Sequence, residues 1–207
     1  MNSQPMDDFS LRQRLQGELL AGERILWVGQ PDPSILLSRA DIFLIPFSVM
    51  WGGFTLVFAV IIIAGFTGNP SGGSVFPLLW AVPFLAAGQY LIWGRLVYKR
   101  WQKRRTYYAI TTQRVLVAIG AGNGRLQGAF INQIPVINRT LRKNGVGTVQ
   151  FGSLPYQAAM YANTGMDFFG WPGNSVPVFF DIRDAQRVYS LVLQLRRDAD
   201  TRQSPAS

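Results

Sequence analysis

The sequence predicts an α+β membrane protein in which a two-helix transmembrane hairpin precedes a small antiparallel β-barrel or sandwich with a C-terminal α-helix. Three observations lead to this prediction. Residues 42–94 contain no Asp, Glu, Lys or Arg and hold two long apolar runs. Residues 95–105 are strongly basic. From residue 106 onward, short β-rich segments alternate with turn signals.

The composition of the 207-residue chain excludes several classes of enzyme. Charged residues make up 15% of the chain, against about 25% in soluble globular proteins. Because cysteine and histidine are absent, disulfides, thiolate zinc sites, cysteine nucleophiles and Ser-His-Asp triads are excluded. The acidic residues lack metal-ligand spacing, and the glycine-rich residues 120–124 lack a phosphate-loop lysine. We therefore expect a non-enzymatic protein without a cofactor.

The first 41 residues predict a short helix followed by an extended segment. Asp7 or Asp8 is suited to cap the helix, and Gly22 is expected to end it. Its apolar residues follow helical spacing and are Phe9, Leu11, Leu15, Leu19 and Leu20. We expect this apolar face to dock on the C-terminal domain. Residues 23–33 are predicted to be extended and to end at a proline-bounded turn.

Two apolar runs predict the transmembrane hairpin. Residues 42–66 would extend about 37 Å as a helix and residues 75–94 about 30 Å, enough to cross a hydrocarbon core of about 30 Å. The eight residues 67–74 between them are short and rich in turn formers, so the two helices must be antiparallel neighbours. The alternative is a pair of buried core helices in a soluble protein, which is rare for apolar runs of this length.

The basic segment 95–105 predicts the orientation of the hairpin. Six of its eleven residues are Lys or Arg, and such residues are enriched on the cytoplasmic side of membrane helices. Trp93, Tyr98 and Trp101 fall where aromatic rings prefer the membrane interface. We therefore expect a multi-pass protein of the cytoplasmic (inner) membrane with both termini in the cytoplasm.

The sequence changes character after residue 105. Segments rich in β-branched and aromatic residues alternate with turns, which is typical of an antiparallel barrel or sandwich. The strand candidates are residues 107–110, 115–119, 126–134, 136–141, 148–152, 157–162 and 176–182. The strand assignment within residues 153–175 stays open. An amphipathic helix over residues 184–198 is predicted to cover the open end of the barrel, and residues 199–207 to form a flexible tail.

Four segments resemble bacterial pleckstrin-homology-like (PH-like) domain membrane proteins. They are LLAGERILWVGQPDP (residues 19–33), TYYAITTQRVLVAIG (106–120), NGVGTVQFG (144–152) and VFFDIRDAQRVYSLV (178–192). Thr112 stands where this family often has Asn in the first hairpin turn. The positions that match the family motifs are Glu23, Trp27, Gly29, Pro31, Tyr107, Tyr108, Thr111, Arg114, Gly147 and Thr148.

The resemblance implies a domain organisation and a class of partner. It implies an N-terminal cytoplasmic segment (residues 1–41), the hairpin (42–94), a cytoplasmic PH-like domain (95–198) and a tail (199–207). Because some bacterial PH-like domains self-associate, it also implies assembly, as a homo-oligomer or with other membrane proteins.

Basic residues near the hairpin are the candidate lipid-binding site. They are Lys99, Arg100, Lys103, Arg104 and Arg105, together with Arg142 and Lys143 from a second basic turn that also contains Arg139. Each contributes about 1 kcal/mol near an anionic lipid surface. The same residues are equally suited to set the membrane orientation alone, and the sequence does not separate these two roles.

The function expected from the sequence is therefore non-enzymatic. The first hypothesis is a membrane protein whose cytoplasmic PH-like domain mediates protein assembly or scaffolding. The alternative is a module that binds anionic lipid headgroups through the basic residues. A third hypothesis is an accessory subunit of a transporter. Nucleic acid is not an expected partner, because the domain is predicted to be tethered to a membrane.

Overall fold

The computed structural model describes residues 8–38, 40–68, 76–120, 124–142, 144–155, 158, 162–166 and 176–203. The elements are α1 (Asp8–Gln16), β1 (Ile25–Gly29), α2 (Asp41–Gly68), α3 (Phe76–Gln89), a π-helical turn (Tyr90–Gly94), α4 (Arg95–Lys103), β2 (Thr106–Thr111), β3 (Arg114–Ile119), β4 (Arg125–Phe130), a 3-10 turn (Ile131–Gln133), β5 (Ile137–Leu141), β6 (Gly147–Phe151), β7 (Val178–Ile182) and α5 (Ala185–Gln203).

These elements belong to two compact units, which are described separately. The sheet unit comprises the described residues within 1–35, 100–159 and 170–207. The helical unit comprises those within 36–99 and 160–169.

The sheet unit contains two antiparallel sheets, with strand orders β1-β2-β3-β4 and β5-β6-β7. Their strands are rich in β-branched and aromatic residues, whose side chains pack well on a pleated surface. Tyr108 of β2 is paired with Val117 of β3, and Ile137 of β5 with Phe151 of β6. No strand pairing joins the two sheets in the part of the chain that is described, so a closed barrel is not shown.

The main core of the sheet unit lies among both sheets and α5. Ile110 and Val115 of the first sheet and Phe179 of the second are fully buried, as are Val188 and Val192 of α5. The predicted packing of the C-terminal helix on the strands is therefore confirmed. The helix is longer than predicted and continues to Gln203, so residues 199–203 are helical rather than part of a tail; residues 204–207 lie outside the described range.

The N-terminal part of the chain joins the same unit. Leu11 and Leu15 of α1 pack in a second core with Val28, Tyr107 and Leu116, which confirms the predicted docking face at these two positions. By contrast, 77% of Phe9 is exposed. Strand β1, within the segment predicted to be extended, pairs with β2 as an edge of the first sheet. The sequence did not predict this pairing.

The predicted strands differ from the structure in two places. The candidate over 126–134 ends at Phe130, where the 3-10 turn begins. The candidate over 157–162 is wrong where it is described, since Ala158 is helical and Ala162 lies in a turn. The remaining residues of that candidate fall outside the described part of the chain.

The helical unit contains the two predicted apolar runs. Helix α2 includes all of the first run, and its residues Asp41–Gly65 are long and apolar enough to cross a membrane, with only 11% of the apolar window buried. The second run consists of α3, with 14 residues, followed by the π-helical turn. A helix of 14 residues is shorter than the roughly 20 residues that a membrane crossing needs. Among the described residues, α2 is therefore the one helix long and apolar enough to cross a membrane. A two-helix transmembrane hairpin is not shown.

Helices α2 and α3 pack through small and aromatic residues. The rings of Trp51 and Phe84 stack with their centroids 6.2 Å apart. Gly88 is buried against α2, where an added Cβ would lie 2.9 Å from Thr55 Oγ1. The absence of a side chain at this position therefore permits close approach of the two helices.

Candidate functional site

The basic residues of segment 95–105, which include the predicted lipid-binding residues of that segment, divide into a buried and an exposed set. Three positions spaced four residues apart along α4 are almost fully buried: Arg95 is 1% exposed, Lys99 2% and Lys103 4%. Residues at this spacing share one face of a helix. Arg100, Arg104 and Arg105 are exposed. The buried set satisfies its charge through contacts inside the protein, described next for each unit.

In the helical unit, Arg95 forms a buried ion pair with Asp41, the first residue of α2. The Nε of Arg95 also donates to the carbonyl of Leu91 (2.9 Å). The backbone N–H of Ser38 donates to the Asp41 carboxylate (2.5 Å). A buried charge without a partner is strongly destabilising, so this pair fixes the start of α2 against the start of α4.

A short segment of the long β6–β7 connection completes this part of the helical unit. The hydroxyl of Tyr90, in the π-helical turn, donates to the carbonyl of Gly165 (2.5 Å). Gly165 has φ +83°, and an added Cβ would lie 2.3 Å from the carbonyl oxygen of Arg95. Only glycine fits there, for both conformational and steric reasons. Lys99 lies in the same unit and donates from Nζ to the carbonyl of Leu36 (2.7 Å).

In the sheet unit, Lys103 binds a buried aspartate. Its Nζ donates to Asp181 Oδ2 (2.5 Å) and to the carbonyl of Ile35 (2.6 Å). Arg142 Nη2 lies 3.3 Å from the other carboxylate oxygen of Asp181. Burial lowers the pKa of Lys103 below its ordinary value, although the charge of Asp181 opposes this effect. Asp181 is 2% exposed and has φ +47°, rare for a residue other than glycine.

Asp32 connects the same aspartate to a further arginine. Its backbone N–H donates to the carbonyl of Asp181 (2.9 Å), and its carboxylate accepts from Arg183 Nη2 (3.0 Å). Burial raises the pKa of Asp32, but hydrogen bonds from Ser34 and Arg183 outweigh it and hold the pKa below its ordinary value. We call these residues the Asp181 cluster: Asp32, Lys103, Arg142, Asp181 and Arg183.

Three of the family-motif positions meet in one buried contact. Glu23 Oε1 accepts hydrogen bonds from Thr111 Oγ1 (2.6 Å) and from Arg114 Nε (2.9 Å). Its other oxygen accepts from Arg114 Nη2 (3.0 Å) and from the N–H of Leu20 (2.7 Å). Burial raises the pKa of Glu23, but these hydrogen bonds and the charge of Arg114 more than compensate, so the pKa is lower than usual. The contact holds the N-terminal segment on the β2–β3 turn.

Other motif positions belong to the aromatic core and the first sheet. The ring of Trp27 stacks on Phe179 (5.8 Å between centroids), and Phe179 stacks on Tyr108 (4.6 Å). Tyr107 packs in the core beneath α1, and Pro31 is buried. These positions therefore contribute to folding.

The glycine positions of the motifs allow close packing. A Cβ at Gly29 would lie 2.4 Å from the indole of Trp27, and one at Gly147 would lie 2.7 Å from the Cβ of Ala185. Thr148 is paired with Thr140 in the β5–β6 ladder. The motif is thus explained by packing.

The second basic turn is only partly available for lipid. Arg142 belongs to the Asp181 cluster, although 43% of its side chain is exposed. Arg139 lies over the ring of Tyr189 (4.8 Å) and hydrogen-bonds to Gln186, both on α5. Lys143 lies outside the described residues. Lipid binding by these positions stays a prediction.

The sequence interpretation did not identify the buried Asp181 cluster, in which Asp181 is 2% exposed and pairs with Lys103 and Arg142. It did not identify the Asp41–Arg95 pair, although a signal was present. Asp41 is the last charged residue before the uncharged segment 42–94, and Arg95 is the first after it. Two helices that return to the same side bring such flanking residues together.

No protein-family model matches this chain, and no curated protein or solved structure matches it either. The resemblance to PH-like membrane proteins therefore depends on the four sequence segments and stays a prediction.

Proposed function

We propose that this chain is a non-enzymatic integral membrane protein that presents a PH-like domain for protein assembly. The observation that carries the proposal is the exposure of large apolar side chains along α2. Phe43 is 75% exposed, Met50 65% and Phe54 63%. Contiguous apolar surface of this extent is unfavourable in water and typical of a surface that meets lipid or protein. A hydrocarbon environment removes the cost.

The second membrane span of the proposal is the helical segment after α2. Helix α3, the π-helical turn and α4 follow one another without a break, and residues 76–94 of this segment carry no charge. Nineteen helical residues extend about 28 Å, close to the thickness of a hydrocarbon core. The basic residues that follow favour an orientation with both termini in the cytoplasm.

Two features support a PH-like domain. Seven described strands form antiparallel sheets of four and three strands, and a C-terminal α-helix packs on their common core. The family-motif positions Glu23, Thr111 and Arg114 also form one buried contact, which is a physical reason for their occurrence together.

Exposed apolar residues on end strands support a role in assembly. Among the described strands, β4 ends the first sheet and β5 ends the second. Leu126 and Phe130 of β4 are 36% and 40% exposed, and Leu141 of β5 is 42% exposed. End strands with apolar side chains are suited to association with a further chain. The partner that we propose first is a second copy of this protein.

Reporter fusions test the membrane topology. A reporter before Met1 and one after Ser207 should both report the cytoplasm, and one inserted between residues 67 and 74 should report the opposite side. A non-cytoplasmic signal from the C-terminal fusion, or a cytoplasmic signal from the loop fusion, would contradict the two-span arrangement.

The oligomeric state of the full chain in mild detergent tests the assembly role. We expect an oligomer whose size is unchanged at high salt, since apolar contacts are not screened. The double substitution Leu126→Lys and Phe130→Lys should convert it to a monomer. Phe9→Lys is the control, because Phe9 is more exposed than either residue and lies on α1. A wild-type monomer, or an oligomer that both variants leave intact, would contradict assembly through β4.

A further inference from the structure

Helix α4 exposes large apolar side chains and buries three cations, whereas a surface helix in water buries its apolar face and exposes its charges. Val97, Arg100 and Trp101 lie within one face of α4 by helical spacing, and Val97 is 60% and Trp101 49% exposed. Arg104 and Arg105 are also exposed and follow the helix directly. The opposite face carries the buried cations at positions 95, 99 and 103. An exposed valine and tryptophan beside arginines is the pattern of a helix at a membrane interface.

We propose that this exposed face lies in the headgroup layer of the bilayer, where Arg100, Arg104 and Arg105 bind the phosphates of anionic lipids. The inference depends on the proposed function, because it needs the chain to be inserted in a membrane. It goes beyond that function by naming the lipid contact and the residues that make it. The three buried cations of α4 take no part.

The position of α4 in the chain supports the lipid headgroup as the occupant. The helix begins directly after the uncharged segment that ends at Gly94. At 1.5 Å per residue, Trp101 lies about 10 Å along the helix from that end. Helical side chains tilt toward the N-terminus of their helix, which here is the end nearer the proposed membrane span. The long side chain of Arg100 can therefore reach back to the level of the phosphates.

Charge also favours an anionic partner for this face. Arg95 and Lys103 pair with Asp41 and Asp181, whereas Arg100, Arg104 and Arg105 form none of the ion pairs found among the described residues. The guanidinium of Arg105 lies 4.1 Å above the ring of Trp101. A planar guanidinium binds phosphate through two parallel hydrogen bonds and stacks on an aromatic ring at the same time.

A spin label at single introduced cysteines measures the depth of α4, because the natural chain has no cysteine. The full-length protein is reconstituted in phosphatidylcholine vesicles that contain phosphatidylglycerol. Labels are placed at Val97→Cys on α4, Val57→Cys on α2 and Gln194→Cys on the exposed surface of α5. Collision rates with oxygen, which concentrates in lipid, and with a water-soluble nickel complex then report the depth of each label.

We expect the ratio of oxygen to nickel collisions at position 97 to be several-fold higher than at position 194 and lower than at position 57. A ratio at position 97 equal to that at 194, with position 57 buried in lipid, would overturn the inference and leave the proposed membrane protein intact. Equal exposure to water at all three positions would overturn both.

The preference of the reconstituted protein for anionic over neutral lipid tests whether Arg100, Arg104 and Arg105 bind lipid phosphates. Association with phosphatidylglycerol relative to phosphatidylcholine should fall in the triple variant Arg100→Gln, Arg104→Gln and Arg105→Gln, by about fivefold for each charge removed. The control replaces two exposed arginines elsewhere, Arg125→Gln and Arg187→Gln, and should leave the preference unchanged. Equal effects of the two variants, or no preference in the wild type, would overturn phosphate binding by α4.

Discussion

The sheet unit and the helical unit bury opposite kinds of side chain. In the sheet unit, Val115 and Phe179 are fully buried in an apolar core. In the helical unit, Thr55 is 2% and Arg95 1% exposed, while Phe43 is 75% exposed. The first distribution is what burial of apolar surface from water produces. The second places polar groups inside and apolar groups outside.

This difference supports the membrane environment proposed for the helical unit. Where the surroundings are apolar, helices gain nothing by burying apolar side chains, and they associate instead through small residues and polar contacts. The helical unit has both kinds of contact, at Gly88 and in the Asp41–Arg95 pair. Two kinds of substitution therefore test this difference. One places a charge in the apolar core of the sheet unit, and the other removes a charge from the polar interior of the helical unit.

The largest effect is expected from a charge placed in the core of the sheet unit. Val188 is fully buried on α5, so Val188→Asp buries an unpaired carboxylate and should cost at least about 5 kcal/mol of unfolding free energy. The sheet unit of the variant should become sensitive to trypsin at room temperature. Gln194→Asp, at an exposed position of the same helix, is the control and should remain resistant. Equal resistance of the two variants would contradict the packing of α5.

A similar but smaller effect is expected when a charge is removed from the helical unit. Asp41→Asn leaves Arg95 buried without an opposite charge, which should cost about 3–5 kcal/mol in thermal unfolding in detergent. The double variant Asp41→Leu with Arg95→Met should recover most of this loss, since no unpaired charge remains. If the single variant is as stable as the wild type, the polar interior does not support the helical unit.

The smallest effect is expected at Glu23, which makes a charged contact within the sheet unit. Its pKa is lower in the folded protein than the ordinary value of 4.5, so the contact stabilises the fold above about pH 4.5. The stability is lost as the pH falls through the folded-state pKa. Glu23→Gln should cost about 1.5 kcal/mol at pH 7 and reduce the decline in stability toward acid. Glu18→Gln, at an exposed position, should retain the wild-type pH profile. An unchanged profile in Glu23→Gln would contradict this role.

Local patterns predicted the elements that depend on neighbours in sequence. The β2–β3 hairpin follows from two apolar runs joined by a short turn, and the structure has it with Tyr108 opposite Val117. The first apolar run is one helix, and the amphipathic segment after Asp184 is α5. The second apolar run was predicted less well, because α3 ends at Gln89 and the run continues as a π-helical turn from Tyr90 to Gly94. Hydrophobic composition does not distinguish an α-helical turn from a π-helical one.

The burial and the ion-pair partners of the charged residues were harder to predict, because they depend on residues far apart in sequence. Lys103 and Asp181 are separated by 78 positions, and Arg95 and Asp41 by 54. The basic run after the uncharged segment 42–94 is uniform as a sequence, so it gave no reason to separate Lys99 from Arg100. The partner of each cation decides whether it is buried.

The sequence by itself determined where the chain is apolar, where it is basic and where most of the strands and helices lie, because these properties follow from the side chains of consecutive residues. The tertiary structure decided that β1 joins β2, that Asp181 is buried, and that α4 presents Arg100 and Trp101 outward while it buries Lys99 and Lys103. A helix that carries cations on both faces, as α4 does, can bury either face. The carboxylates and carbonyls packed against α4 within each unit selected the face that is buried.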